Sequence, residues 1–380
     1  MPPVRAAVIP APNTTVELRE FPEPDVPLGG VLLKTLYSEV CGTDVHLSHG
    51  KLSGVPYPLI PGHVAVGVAE KVRGDVRDIY DKPIVEGQTL TYLDVHKTCG
   101  RCWYCLVAKA ATRCPHRKVY GITYGAADGL LGGWAEKMLL LPGLHLLPLP
   151  AEVSPELFIS GGCGLQTAVH AIERAEIKLG DSVVVLGSGP VGLNCAALAS
   201  LSGAGLVMVS GAPENRLAAA KTFGADEVID IRSMQEADRT AEVRRLTEGR
   251  GADIVIEACG QPRAVREALQ MVRDQGRVVV VGQYTDQGEV SINPHGEINR
   301  KHIDLRGVWG SDFSHVYKGL RLLARFQKRV PWLSLAAIQY PLARAAEALI
   351  DVQEQRCAKA VLNCRVQGSG FGVQGSELRA

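Results

Sequence analysis

Three features of the sequence predict an α/β fold: a doubly wound parallel sheet with a second, β-rich unit beside it. Between Asp181 and Gly310, short continuous apolar runs alternate with helical patterns, as parallel strands covered by helices on both faces do. Within that stretch, Gly187-Ser188-Gly189-Pro190-Val191-Gly192 follows a strand and opens a helix, the arrangement of a dinucleotide-binding turn. Residues 1–155 instead carry short alternating stretches such as VLLKTLY and GVAEKV, broken by Pro and Gly, which read as antiparallel strands and turns. A chain of 380 residues is long enough for two domains.

The parallel strands are read at VVVL (183–186), LVMVS (206–210), EVID (227–230), DIVIEA (253–258) and RVVVVG (277–282), with IDLRGVWG (303–310) as a sixth. Between them, 190–201, 213–223, 236–247 and 263–272 have helical spacing. Helices at 312–329 and 342–356 and a strand at AKAVLN (358–363) follow. Residues 365–380, rich in Gly and Ser, are expected to form a flexible tail.

Composition excludes several classes. Lys and Arg number 41 against 40 Asp and Glu, a net charge of +1, so no polybasic nucleic-acid surface is expected. No apolar run approaches the ~18 residues of a membrane span. The N-terminal MPPVRAAVIPAPN is too short and too broken by proline for a signal peptide. The expected compartment is the cytoplasm.

In the glycine fingerprint, Gly187 permits the tight turn, Gly189 lets backbone approach a pyrophosphate, and Gly192 lets helix pack on strand. Ser188, Pro190 and Val191 complete the turn, whose N–H groups face the phosphates. The acid that usually ends the second strand and binds the adenosine ribose is missing. Gly211 stands there, followed by Ala212-Pro213-Glu214-Asn215-Arg216. Arg216 is a possible partner for a 2′-phosphate, although a solvated helix face explains it equally well. NAD and NADP are both left open.

Cys99-x2-Cys102-x2-Cys105-x8-Cys114 offers four thiolates on one loop, a closed tetrahedral set suited to structural zinc. Gly100 lets this loop curl. A second, dispersed group comprises Cys41-Gly42-Thr43-Asp44-Val45-His46, then Gly62-His63, then Cys163. Taken singly, Cys41 and His63 read as core residues, and Thr43 and Asp44 as caps of a helix starting near Val45.

In combination and in order, CGTDVH, PGH, the four-cysteine loop, GGCGLQTAVHA and VLGSGPVGL resemble the zinc-dependent medium-chain dehydrogenases, the alcohol dehydrogenase superfamily. The resemblance runs from AAVIPAPN to about Asn363. It implies a GroES-like catalytic domain over 1–155, a Rossmann domain over 156–310 and a return to the catalytic domain over 311–364. It also implies catalytic zinc on Cys41, His63 and Cys163, a substrate-binding hydroxyl at Thr43, an outer proton-relay group at His46 and a supporting carboxylate at Asp44. Hydride would pass between an alcohol, or its aldehyde or ketone, and NAD(P). Each chain would hold two zinc ions, one catalytic and one structural, in a homodimer or homotetramer.

Two departures stand out. Val64 follows His63 where many relatives have Glu, so the fourth metal position is expected to lack a protein carboxylate. Eight residues precede Cys114 where seven is common. Cys163, in place of an acidic ligand, favours an alcohol dehydrogenase over a polyol or sugar dehydrogenase. A non-catalytic cofactor-binding relative would have lost zinc ligands or Thr43, and a zinc-ribbon interaction protein would be basic. Val95 is the one residue expected from its position to line the substrate pocket. Trp134 is expected in the core and Trp309 in the core or at the pocket border. Cys195, Cys259, Cys357 and Cys364 read as core or surface thiols.

Overall fold

A computed structural model of the chain describes residues 3–336, 338–357 and 359–365. Six strands form a sheet in the order Glu227–Asp230, Leu206–Gly211, Ser182–Leu186, Ala252–Glu257, Val272–Val280, Asp304–Gly307. Every neighbouring pair is parallel. Along the central strand, Val183 and Val185 enter one core cluster while Val184 and Leu186 enter another. Both faces are covered, so each position is apolar and the alternation typical of a half-exposed strand is absent. The fifth strand starts at Val272 rather than Arg277, because the chain leaves the Pro262–Met271 helix directly into pairing with Ala252. Chain order reverses on either side of Ser182–Leu186, which opens a ligand crevice at the carboxyl ends of the strands.

A second sheet has the order Gln339–Pro341, Ala360–Asn363, Val31–Val40, Ala65–Val72, Thr89–Tyr92, Leu146–Pro148. The C-terminal strand Ala360–Asn363 lies antiparallel to Val31–Val40, with Val361 opposite Glu39. The N-terminal sheet is thus completed by residues more than 300 positions downstream. The expected strand at 358–363 begins at Ala360; Ala358 lies outside the described residues, as do 366–380 of the expected tail. The helix expected at 342–356 divides into a short turn, Leu342–Arg344, and a helix, Ala345–Gln353.

The longest helix, Pro155–Ala175, is absent from the sequence reading, which is broken there by Gly161, Gly162 and Gly164. Ser154 caps it by accepting a hydrogen bond from the Leu157 N–H, and Pro155 opens it. Gly162, at φ 48° and ψ −148°, kinks it in a conformation that glycine tolerates best. The helix packs its apolar side into the same core as Pro190–Leu201 and Phe313–Phe326. Trp134 is fully buried, as expected. No helix among the described residues is long and apolar enough to cross a membrane.

Candidate active site

The Val31–Val40 strand delivers Glu39, and Cys41 follows at once as the N-cap of the helix Gly42–Ser48. The helix starts at Gly42 and not near Val45, so Thr43 and Asp44 lie inside its first turn. Asp44 takes part in the cap as a capping box: it folds back, and its Oδ2 accepts from the Cys41 N–H at 2.8 Å. His63 arrives from the segment before Ala65–Val72, and Cys163 from just beyond the Gly162 kink. Donor atoms of Glu39, Cys41, His63 and Cys163 all lie within 4.8 Å of one another.

A fourth member joins the three ligand candidates from outside the Gly62-His63-Val64 stretch. Val64 is indeed a core residue, yet a carboxylate reaches the cluster from another strand. Its position was hidden because a strand residue's partner is set by sheet pairing and not by neighbouring sequence. Lys359 Nζ donates to Glu39 Oε2 at 2.8 Å, and both side chains are buried. Burial alone would raise the Glu39 carboxyl, but Lys359, His63 and the Cys163 thiol hold it below the usual range.

The donor chemistry fits a divalent cation. The Cys163 thiol is pushed well above its ordinary range by its hydrogen bond to Cys41 and by burial. A coordinated cation reverses that preference, because a metal-bound thiol is deprotonated outright. Asp44 is fully buried, and burial pushes its carboxyl up to about 6 against the pull of His63. Asp44 Oδ1 and His63 Nδ1 are buried without a hydrogen-bond partner among the described residues. An imidazole with an idle nitrogen inside a thiol and carboxylate cluster is what a cation site requires.

A cavity of about 250 Å³ opens over this cluster, with Thr43 and His46 on one wall. His46 Nδ1 lies 3.4 Å from Thr285 Oγ1. Gln287 Nε2 donates to that hydroxyl at 2.7 Å, and Lys51 Nζ donates to Gln287 Oε1 at 3.3 Å. A polar chain therefore leads from His46 outward, and its members Thr285 and Gln287 carried no signal in the sequence. Val95 lines the cavity as expected, and Trp309 borders it. Tyr284 stacks on Trp309 at 5.6 Å, while the Arg117 guanidinium lies 4.6 Å from the Trp309 ring centroid.

The fingerprint glycines differ in what a side chain would meet. Gly187 has φ +122°, and a Cβ there would come 2.9 Å from the Ala258 carbonyl. Gly189 caps the Pro190–Leu201 helix with open space where a Cβ would stand. A Cβ on Gly192 would come 1.9 Å from the Gly187 oxygen. Gly187, Ser188, Gly189, Gly211 and Arg216 line a cavity of about 500 Å³; Pro190 opens the helix beside it, and Val191 faces the smaller cavity. Ala258 and Cys259 border both cavities, which places them end to end. Cys259, expected to be a core or surface thiol, is exposed and borders both cavities.

Arg216 is not a solvated surface residue. Its Nη2 donates to the Cys357 carbonyl at 2.8 Å. Glu214 is exposed, and no ion pair joins it to Arg216 among the described residues. Gly211 ends its strand, but a Cβ there would come 2.4 Å from Ser188 Oγ and 2.7 Å from Ser188 Cβ. The space an acid would need is already filled by the phosphate turn.

On the cysteine loop, the sulfurs of Cys99, Cys102, Cys105 and Cys114 lie within 4.8 Å of one another. Gly100 takes φ +65°, and Cys102 caps the short helix Trp103–Leu106. The Cys99 thiol falls to about 6, held first by the Arg101 N–H. Four sulfurs gathered without an apolar core of their own suit a structural cation.

Known proteins agree with this architecture. The family model of the alcohol dehydrogenase GroES-like domain matches residues 28–151, and that of the zinc-binding dehydrogenases matches 190–325. The chain is 30% identical over 361 residues to 5-exo-hydroxycamphor dehydrogenase of Pseudomonas putida, covering 94% of this chain and 98% of that one. It is 32% identical to L-threonine 3-dehydrogenase of Pyrococcus horikoshii over 79% of this chain and 81% of that one. Sorbitol dehydrogenase of Bacillus subtilis is 29% identical over 88% and 89%, respectively. An alcohol dehydrogenase structure from Thermotoga maritima superposes with a TM-score of 0.90 at 31% identity, covering 96% of this chain and all of that one. The chain belongs to the zinc-dependent medium-chain dehydrogenases, the alcohol dehydrogenase superfamily. It is an oxidoreductase acting on alcohols or the matching carbonyl compounds with a nicotinamide cofactor.

Proposed function

We propose that Cys41, His63 and Cys163 hold a catalytic zinc, that Cys99, Cys102, Cys105 and Cys114 hold a structural one, and that Thr43 and His46 carry the substrate proton outward. The observation that carries this reading is the convergence of two thiols and an imidazole on a cavity that Thr43 and His46 also line, with the Glu39 carboxylate in the same donor cluster. Zinc supplies the Lewis acidity that lets an alcohol ionise near neutrality, and the nicotinamide supplies the hydride acceptor. Asp44 steadies Cys41 through its backbone N–H. Thr43 binds the substrate hydroxyl and accepts its proton, and His46 passes charge on towards Thr285. Val95, Val119 and Val308 give the cavity an apolar wall, which suits a compact hydrocarbon frame.

The glycine turn from Gly187 to Gly192 binds the pyrophosphate of NAD or NADP, with Gly211 and Arg216 near the adenosine ribose. In this reading 1–155 and 311–364 form one catalytic unit around the dinucleotide-binding unit 156–310. The chain works as a homodimer or homotetramer, for which exposed Trp103, Leu106 and Val107 offer apolar surface. Its compartment is the cytoplasm, consistent with ten free cysteines.

A second reading, a polyol or sugar dehydrogenase, is favoured by Asp94 and Arg117, which add a carboxylate and a guanidinium to the cavity wall. A turnover screen over primary, secondary, cyclic and polyhydroxy alcohols with both cofactors separates the two. Fastest turnover of polyols overturns the apolar-alcohol reading, and no turnover of any alcohol overturns both.

A further inference from the structure

Trp309, on the wall of the cavity over the metal-ligand cluster, carries two guanidiniums against its ring. The guanidinium carbon of Arg117 lies 4.6 Å from the ring centroid and that of Arg113 4.9 Å. Neither arginine has a carboxylate partner among the described residues. Two like charges held against one ring repel each other, so the arrangement is costly until an anion joins it. Both arginines flank Cys114 on the cysteine loop, whereas Trp309 follows the last parallel strand. The ring is itself fixed, because its Nε1 donates to the Tyr284 carbonyl at 3.1 Å and the Tyr284 ring stacks on it.

Arg117 lines the same cavity as Thr43, Cys41, His63 and Cys163. Its Nη1 donates to the Thr112 carbonyl at 3.1 Å, and its Nε and Nη2 have no acceptor among the described residues. Two neighbouring guanidinium donors left open are what binds a carboxylate or phosphate through parallel hydrogen bonds. Stacking on Trp309 sets the plane of this fork before a ligand arrives. Asp94 also lies on the wall, but no ion pair joins it to Arg117 among the described residues, and burial pushes its carboxyl up against the pull of His63 and Arg117. A neutral hydroxyl would use one donor of the fork and leave its charge unanswered; an oxyanion uses both donors and answers the charge. Resting on the catalytic-zinc reading above, we propose that the substrate is an alcohol that also carries an oxyanion, a carboxylate or a phosphate, and that Arg117, stacked on Trp309 and supported by Arg113, binds that group. The hydroxyl then lies at Thr43 and the cysteine–histidine cluster, with the carbon chain along Val95, Val119 and Val308. A cavity of about 250 Å³ confines the two polar ends to a short chain. The oxyanion takes no part in hydride transfer; its binding orients the carbinol. Arg117 is therefore a specificity-determining residue.

The test compares kcat/KM within two matched pairs on full-length, zinc-loaded protein: β-hydroxybutyrate against sec-butanol, and glycerol phosphate against glycerol. In the parent, at least one anionic alcohol should exceed its neutral counterpart, and the pair with the larger ratio tells carboxylate from phosphate. Arg117→Met keeps the bulk without the charge and should lower that ratio about thirtyfold, within the range for losing a charged hydrogen-bond partner. Arg117→Lys keeps the charge but not the fork and should recover part of the loss. A purely structural Arg117–Trp309 stack would depress both members of a pair alike and leave the ratio unchanged, which overturns the proposal. A parent that prefers the neutral alcohol in both pairs overturns it too. If Arg117→Met fails to fold, Arg113→Met at its exposed position decides. About a threefold fall in the ratio is then expected, as for an exposed charge, and no fall overturns the proposal. No turnover of the four alcohols, or turnover that survives removal of zinc, refutes the catalytic-zinc reading itself, and this proposal with it.

Discussion

Arg216 leaves the helix after the second parallel strand and hydrogen bonds at 2.8 Å to the carbonyl of Cys357, on the segment that returns to the N-terminal sheet. The same side chain lines the cavity beside the phosphate turn. One guanidinium therefore joins that cavity to the C-terminal segment. It has no carboxylate partner among the described residues.

Without a strand-tip acid, neither cofactor should be strongly rejected. The ratio of kcat/KM for the two cofactors should stay below ~100-fold, or about 2.8 kcal/mol. Arg216→Gln should lower the NADP value relative to NAD by about tenfold, near the lower end for a charge-assisted contact. Steady-state kinetics check both. Discrimination of several thousandfold in the parent would show that another group reads the ribose.

Gly211→Asp restores the missing acid on paper, but the contact with Ser188 makes it something other than a clean switch to NAD. The substitution should displace the phosphate turn, weaken both cofactors and lower Tm. Cofactor titration by fluorescence alongside thermal melts measures this. Tighter NAD binding with unchanged Tm would mean that Ser188 yields freely.

Two zinc ions per chain are expected by elemental analysis. Cys163→Ala should retain one, keep the fold and lose turnover. Cys102→Ala should lower stability, because folding of that loop is coupled to its metal. A Cys163→Ala protein of normal activity would be incompatible with the catalytic site.

Thr43→Val preserves shape and removes the hydroxyl, so turnover should fall by ~10²–10⁴-fold, the range for a positioned proton-transfer group. His46→Ala should cost less, because water can replace an outer group. Normal turnover in Thr43→Val would remove the relay.

The acid side of the pH profile follows from His46. Burial, aided by Lys51 and His49, holds its pKa below the usual histidine value. The neutral form therefore persists to lower pH than in the unfolded chain. The unfolded state binds the proton first, so stability falls as pH drops through the ordinary value near ~6.5 and levels off below the folded value. Activity that needs neutral His46 should decline only below ~6.5, and His46→Ala should flatten that limb. A parent profile declining already above pH 7 would contradict this placement.

The sequence by itself determined the parallel sheet, the phosphate turn, the four-cysteine loop and three of the four members of the metal cluster. These were legible because their causes are local. A strand buried on both faces must be apolar at every position, as Val183–Val185 are. A turn that approaches phosphate must lack side chains, and one loop can gather four thiolates without help from the rest of the chain. Cys41, His63 and Cys163 are scattered, and they were found only because their flanking motifs resemble a family.

Tertiary structure alone decided the rest. Glu39 and Lys359 are 320 positions apart and meet because Ala360–Asn363 pairs with Val31–Val40. Pro155–Ala175 is helical despite its glycines because it is packed between layers, and packing overrides local propensity. Thr285 reaches His46 across 239 positions, and Gly211 meets Ser188 only once two parallel strands lie side by side. Each of these contacts depends on which strands pair and which helix covers them. That choice is made by burial of the whole core and is not written in any short stretch of residues.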